Sequence, residues 1–91
     1  MLYMLCRNRV RDFAVWKNMF DSHAEAHRSA GLRLQHLWRS LDEPNDVFFL
    51  FEVEDRERAL AFVSAPSGAE AGKASGVIDG EIRLLELAVG Y

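Results

Sequence analysis

The stretch that most limits what this chain can fold into is VFFLFEV, Val47–Val53. It is rich in Val and Phe, which favour strands. A strand with one wet face alternates apolar and polar residues. This one is apolar on both faces, so both must be covered. The cluster DEPND before it carries Pro44 and Asn45, which suit a turn. Upstream, LRLQHLWRSL alternates, with Leu32, Leu34, His36 and Trp38 on one side and Arg33, Gln35, Leu37 and Arg39 on the other. The two segments form a hairpin. A turn centred on Pro44 sets His36 opposite Glu52 and Trp38 opposite Leu50, close enough for side chains to touch.

The remaining elements follow from periodicity. Leu2–Cys6 reads as a short buried strand. From Asp12, a helix N-terminal residue, Phe13, Trp16, Phe20, His23, Ala24 and His27 recur at spacings of three and four, a single helical stripe. Gly31 ends that helix as a C-cap. A second helix starts at Asp55, its N-cap, and Pro66 breaks it. Ser67 and Glu70 have capping-box spacing for a short further helical piece, which Gly72 and Gly76 weaken. A closing strand runs from about Ile82 to Val89. The order β-α-β-β-α-β is that of a ferredoxin-like α+β domain, a four-stranded antiparallel sheet with helices on one face. At 91 residues the chain makes a single domain, 1–91. No element is left to cover the other face of Val47–Val53. A second subunit's sheet would cover it, so the expectation is a homodimer joined sheet to sheet about a two-fold axis.

Composition narrows the partners. Cys6 is the only cysteine, so no internal disulfide forms, and a lone thiol fits a reducing, cytoplasmic setting. In a strand, Cys6 reads as a small buried apolar residue. Eleven basic residues are scattered among fourteen acidic ones, for a net charge of −3, so no basic patch points to nucleic acid. The apolar runs fall well short of the roughly 20 residues of a membrane span, and the N-terminus MLYMLCRNR lacks the charge order of a signal peptide. GAEAGKAS has the wrong spacing and no Ser or Thr after its Lys for a phosphate-binding loop.

Together with the element order, several motifs resemble the dimeric α/β-barrel superfamily. They are the W-x-x-x-F-D-x-H run of Trp16, Phe20, Asp21 and His23, the AGL of Ala30–Leu32, the turn Asp42–Asn45 and the SAP break at Ser64–Pro66. The pattern is more similar to small uncharacterised or cyclase-like members than to the antibiotic-biosynthesis monooxygenases. The resemblance implies a dimer with a ligand cleft between sheet and helices in each subunit. That superfamily holds cofactor-free monooxygenases, cyclases, isomerases, haem-handling proteins and members without a known reaction, so the fold alone does not name a reaction.

Two constellations carry candidate chemistry. His23 and His27 sit four apart on one helix face, with His27 near the centre of the stripe and His23 toward its edge. The spacing is that of half a zinc helix, but Ala24 stands where the catalytic Glu would be, and two imidazoles leave a tetrahedral site incomplete. Metal or haem binding through them is therefore a third option, and no cofactor is expected. His36 and Glu52 form the second constellation, in which a carboxylate beside an imidazole suits a general base. The plain alternative makes it a structural polar pair. Trp16, Phe20, His27 and Trp38 are candidates to line a ligand pocket, though aromatics also build small cores. The functional expectation is a small-molecule-binding homodimer, with cofactor-free acid–base chemistry on an aromatic or polyketide-like compound through His23, His36 and Glu52. The alternative is a binding or structural dimer without catalysis.

Overall fold

The computed structural model describes residues 1–90. The elements are β1 (Leu2–Val10), α1 (Phe13–Ser22), α2 (Ala24–Ser29), β2 (Leu32–Arg39), β3 (Asp46–Val53), α3 (Arg56–Ser64), α4 (Pro66–Ala74) and β4 (Val77–Glu86). The four strands form one sheet in the order β2-β3-β1-β4, every neighbouring pair antiparallel. This is the ferredoxin-like arrangement, each of its two helical connections being a pair of helices. Among the described residues no helix is long and apolar enough to cross a membrane.

β3 is the centre of the core. Val47, Phe49, Phe51 and Val53 are buried under the helices, and Phe48, Leu50 and Glu52 alternate onto the open face. Met4, Cys6 and Val10 of β1 join the buried side with Leu32, Trp16 and Ala59. The open face carries Tyr3 and Leu5 beside Leu50 and Phe48, all half-buried although no helix covers them. Trp38 (46% exposed) and Leu85 (43%) extend that apolar surface. Its charges are paired within the chain: Arg7 forks onto Asp46 at 2.7 and 3.1 Å, and Arg9 meets Asp79 at 2.8 Å.

The local signals hold where they are local. Asp12 Oδ1 accepts from the Val15 N–H at 3.2 Å, and Asp55 Oδ1 accepts from Glu57 and Arg58 at 2.9 and 3.2 Å. Gly31 takes φ +74°, and a Cβ there would stand 3.1 Å from that of Glu54. Asn45 fastens the hairpin turn to the start of α1, accepting from the Phe13 N–H at 3.1 Å and donating to the Arg11 carbonyl at 3.2 Å.

Four expectations are corrected. The helical stripe is not one helix, because it breaks at His23. Ser22 Oγ donates to the Met19 carbonyl at 2.6 Å, the acceptor His23 N–H would use in a continuing helix. His23 N–H turns instead to Phe20 O at 3.1 Å. The even alternation of β2 fails at Gln35, where a β-bulge shifts the register between Leu34 and His36. Past the bulge, Leu37 and Arg39 share the helix side with Leu32 and Leu34, and His36 and Trp38 share the open face with Arg33. Helix α4 is capped not by the Ser67–Glu70 spacing but by Pro66 in its first turn after an extended Ala65. Finally, β4 begins at Val77, directly after Gly76 at φ +83°, and ends at Glu86.

Candidate functional site

The two helical arms do not close over the sheet. Between them lies a cleft of about 440 Å³, with Met4, Cys6 and Asn8 of β1 as its floor. Its volume falls within the roughly 300–1,000 Å³ of small-molecule sites, and its lining has their character, mostly apolar with a few polar groups. One wall is aromatic. Trp16, only 3% exposed, stacks on Phe20 with centroids 4.8 Å apart and tilts against Phe49 at 5.5 Å.

His27 completes that wall. Its ring centroid lies 5.0 Å from Phe20, 5.1 Å from Phe51 and 5.6 Å from Phe62. Burial pushes its pKa below the ordinary 6.5, and His23 pushes the same way. At neutral pH the imidazole is thus uncharged and able to accept a proton. His23 also reaches the cleft, its ring 6.5 Å from that of His27 and nearly perpendicular to it. A second, smaller cavity of about 310 Å³ shares Phe20, His27, Leu32 and Phe51 with the first, so His27 and Phe20 stand between the two.

The cleft therefore gathers Trp16, Phe20, His23 and His27, and leaves out the other three candidates. His36 and Trp38 are stacked on each other on the open face, centroids 5.1 Å apart. Glu52 lies on that face too, but its partner is Arg33, which ion-pairs with it and occupies the position opposite. The expected pairing of His36 with Glu52 does not form, because the bulge moves His36 opposite Leu50 and Trp38 opposite Phe48. Arg39 packs its guanidinium 3.9 Å over the Phe13 ring and donates from Nε to the Pro44 carbonyl at 2.8 Å. Among the described residues no cluster of three or more His, Cys, Asp or Glu is placed to hold a metal ion, and His23 with His27 supplies two imidazoles and no third donor.

Three polar cleft groups escaped the sequence reading. Asn8, oriented to satisfy both ends of its amide, donates to the Arg7 carbonyl at 3.0 Å and accepts from Trp16 Nε1 at 3.3 Å. The signal for it was the alternation Met4, Cys6, Asn8, Val10, which continues β1 four residues past the expected end. Ser75, 5% exposed, donates to the Ala71 carbonyl at 2.8 Å, and Ser67 also lines the cleft. Cys6 is buried and its thiol is pushed up to about 12 by desolvation, so it is a packing residue and not a nucleophile.

The chain matches no protein-family profile and no curated protein. Solved structures do match over nearly its full length. A Bordetella bronchiseptica protein assigned as an antibiotic biosynthesis monooxygenase superposes with a TM-score of 0.77 at 13% identity, covering 97% of each chain. SnoaB, a cofactor-independent oxygenase from Streptomyces nogalater, in a mutant form, gives 0.75 at 16% identity, covering 98% of this chain and 94% of that one. An uncharacterised NIPSNAP domain protein from Burkholderia xenovorans gives 0.66 at 16% identity, covering 97% and 95%. The chain thus has the ferredoxin-like fold that these oxygenase-type and NIPSNAP-domain proteins share.

Proposed function

We propose that the cleft takes up a flat, apolar, aromatic molecule and that His27 removes a proton from its phenolic or enolisable group without a cofactor. The observation that carries this reading is an imidazole set in the aromatic wall of an otherwise apolar cleft, where burial keeps it uncharged at neutral pH and so free to take a proton. The proton passes from the ligand's O–H or activated C–H to the free imidazole nitrogen, leaving a phenolate or enolate beside an imidazolium. His23, lining the same cleft, passes that proton on to water. The fold shared with a cofactor-independent oxygenase supports chemistry of this cofactor-free kind. Absorbance titration with a tricyclic phenol acidic enough to ionise near neutral pH tests it. The wild type should shift the bound phenol's spectrum toward the phenolate, and His27→Gln should bind it with little shift. Equal spectra for the two proteins would refute His27 as the base. Binding without turnover in any assay would leave a carrier or sensor of the same ligand class.

The assembly belongs to the same proposal. A second copy covers the open face, burying Tyr3, Leu5, Phe48, Leu50 and Trp38, and it need not desolvate unpaired charges because Arg7, Arg9 and Arg33 already have carboxylate partners. His36 and Glu52 then lie between the copies and not in the cleft. Sedimentation should give twice the chain mass for the wild type and the single mass for Leu50→Asp. A wild type that sediments as a monomer at micromolar concentration would refute the assembly.

A further inference from the structure

What α4 and its C-cap contribute to the lining of the cleft is small residues only: Ser67, Gly68, Ala71, Gly72 and, at the cap, Ser75. Two glycines inside a nine-residue helix oppose helix formation. Nothing in the backbone asks for them, since positive φ among the described glycines is confined to Gly31 and Gly76. Nothing in the packing asks for them either. A Cβ on Gly68 would come no nearer than 3.8 Å to the Phe62 carbonyl, and one on Gly72 no nearer than 3.8 Å to Val77 Cβ, both ordinary contacts. Gly80 is the contrast, where a Cβ would stand 2.6 Å from the Asn8 side-chain amide and 2.9 Å from the Arg7 carbonyl. The fold needs a glycine at 80 and tolerates alanine at 68 and 72.

We infer that Gly68 and Gly72 set the width of the cleft and thereby select a broad, fused-ring ligand, which lies between the α4 backbone and the Trp16–Phe20–His27 wall. The inference rests on the ligand-binding reading proposed above. A side chain at either position would project into the same space as the ligand's far face, while a narrow single ring would still fit. Helix stability is given up on α4 for that width.

The test uses the full chain and measures melting and binding of two probes, a tricyclic phenol and plain phenol, in the wild type, Gly68→Ala, Gly72→Ala and the double variant. Lys73→Ala, on the exposed side of α4, is the control for a stiffer helix with an unchanged cleft. The double variant should melt about 5–10 °C higher. It should lose roughly tenfold or more in affinity for the tricycle and little for phenol, the scale of a methyl group against a fitted wall. Lys73→Ala should bind both probes as the wild type does. A double variant that melts lower would show that packing demands the glycines, and one that keeps its tricycle affinity would show that they do not set the width. Either result overturns the inference and leaves the binding reading standing. A wild type that binds neither probe overturns the binding reading itself, and this inference with it.

Discussion

Replacing His27 with Leu should change how stability depends on pH, and the sign follows from burial. The folded protein holds this imidazole below its ordinary 6.5, first through desolvation and then through His23. In the unfolded chain it titrates near 6.5. Between the two values the unfolded state binds a proton that the folded state refuses. Stability is therefore complete above pH 6.5 and is lost as pH falls through that value toward the folded pKa. The limiting slope for one such group is about 1.4 kcal/mol per pH unit. A chain of this length has a total stability of roughly 5–14 kcal/mol, so one pH unit removes a measurable share. The leucine of the His27→Leu variant would fill the space among Phe20, Phe51 and Phe62 with an apolar group and bind no proton. Urea unfolding at fixed protein concentration, from pH 8 to pH 5, should show a constant difference between the two proteins above pH 7.5. Below pH 6.5 the wild type should weaken relative to the variant by up to about 1.4 M in midpoint per pH unit, taking a urea slope of about 1 kcal/mol/M. Two profiles that run parallel down to pH 5 would refute the burial argument for His27.

Three further perturbations test other parts of the structure. Gly80→Ala places a methyl against the Asn8 side-chain amide and the Arg7 carbonyl, and should cost about 1–3 kcal/mol while shifting Trp16 fluorescence as its Asn8 partner moves; an unchanged melting curve would contradict the close approach. Phe51→Ala empties a site 2% exposed that touches both Phe20 and His27, and should cost about 3–5 kcal/mol by chemical denaturation, with a loss under 1 kcal/mol counting against its place in the core. The Cys6 thiol, pushed up to about 12, should resist a disulfide reagent at pH 8 in the folded protein and react at once in denaturant; fast reaction in the folded state would mean that the floor of the cleft opens.

What the sequence could disclose depended on how local the deciding interaction is. Asp12, Asp55 and Gly31 declare helix ends because a cap is settled within three or four residues. The apolar character of both faces of Val47–Val53 was readable because a strand's alternation is visible in the strand itself, and the helices bury one of those faces. Ser22 gave no warning, since a helical serine bonds water as readily as the Met19 carbonyl, and which it chooses depends on what α2 packs against. Asn8 was missed because a polar run after Cys6 looks like a loop, and only its pairing with Trp16 shows why an amide sits on the buried side. The two α4 glycines read as a weak helix for the same reason, because the cleft they border involves residues from several other elements.

The bulge at Gln35 decided more of the candidate site than any other single residue. Strict alternation would have kept His36 and Trp38 with Leu34 under the helices and sent Arg39 to the open face. One extra residue reverses the arrangement beyond it. Arg39 then reaches inward to lie over Phe13 and hold the Pro44 carbonyl, which steadies the turn where Asn45 grips the start of α1. His36 and Trp38 turn outward beside Phe48 and Leu50, making the open face more apolar than the sequence alternation implied. A register shift of this kind cannot be seen in β2 alone, because its benefit lies in what β3 and α1 present to it. It also separates two surfaces that the sequence ran together: His23 and His27 stay with the helix-side cleft, and His36 and Trp38 join the opposite face, where the proposed second copy would sit.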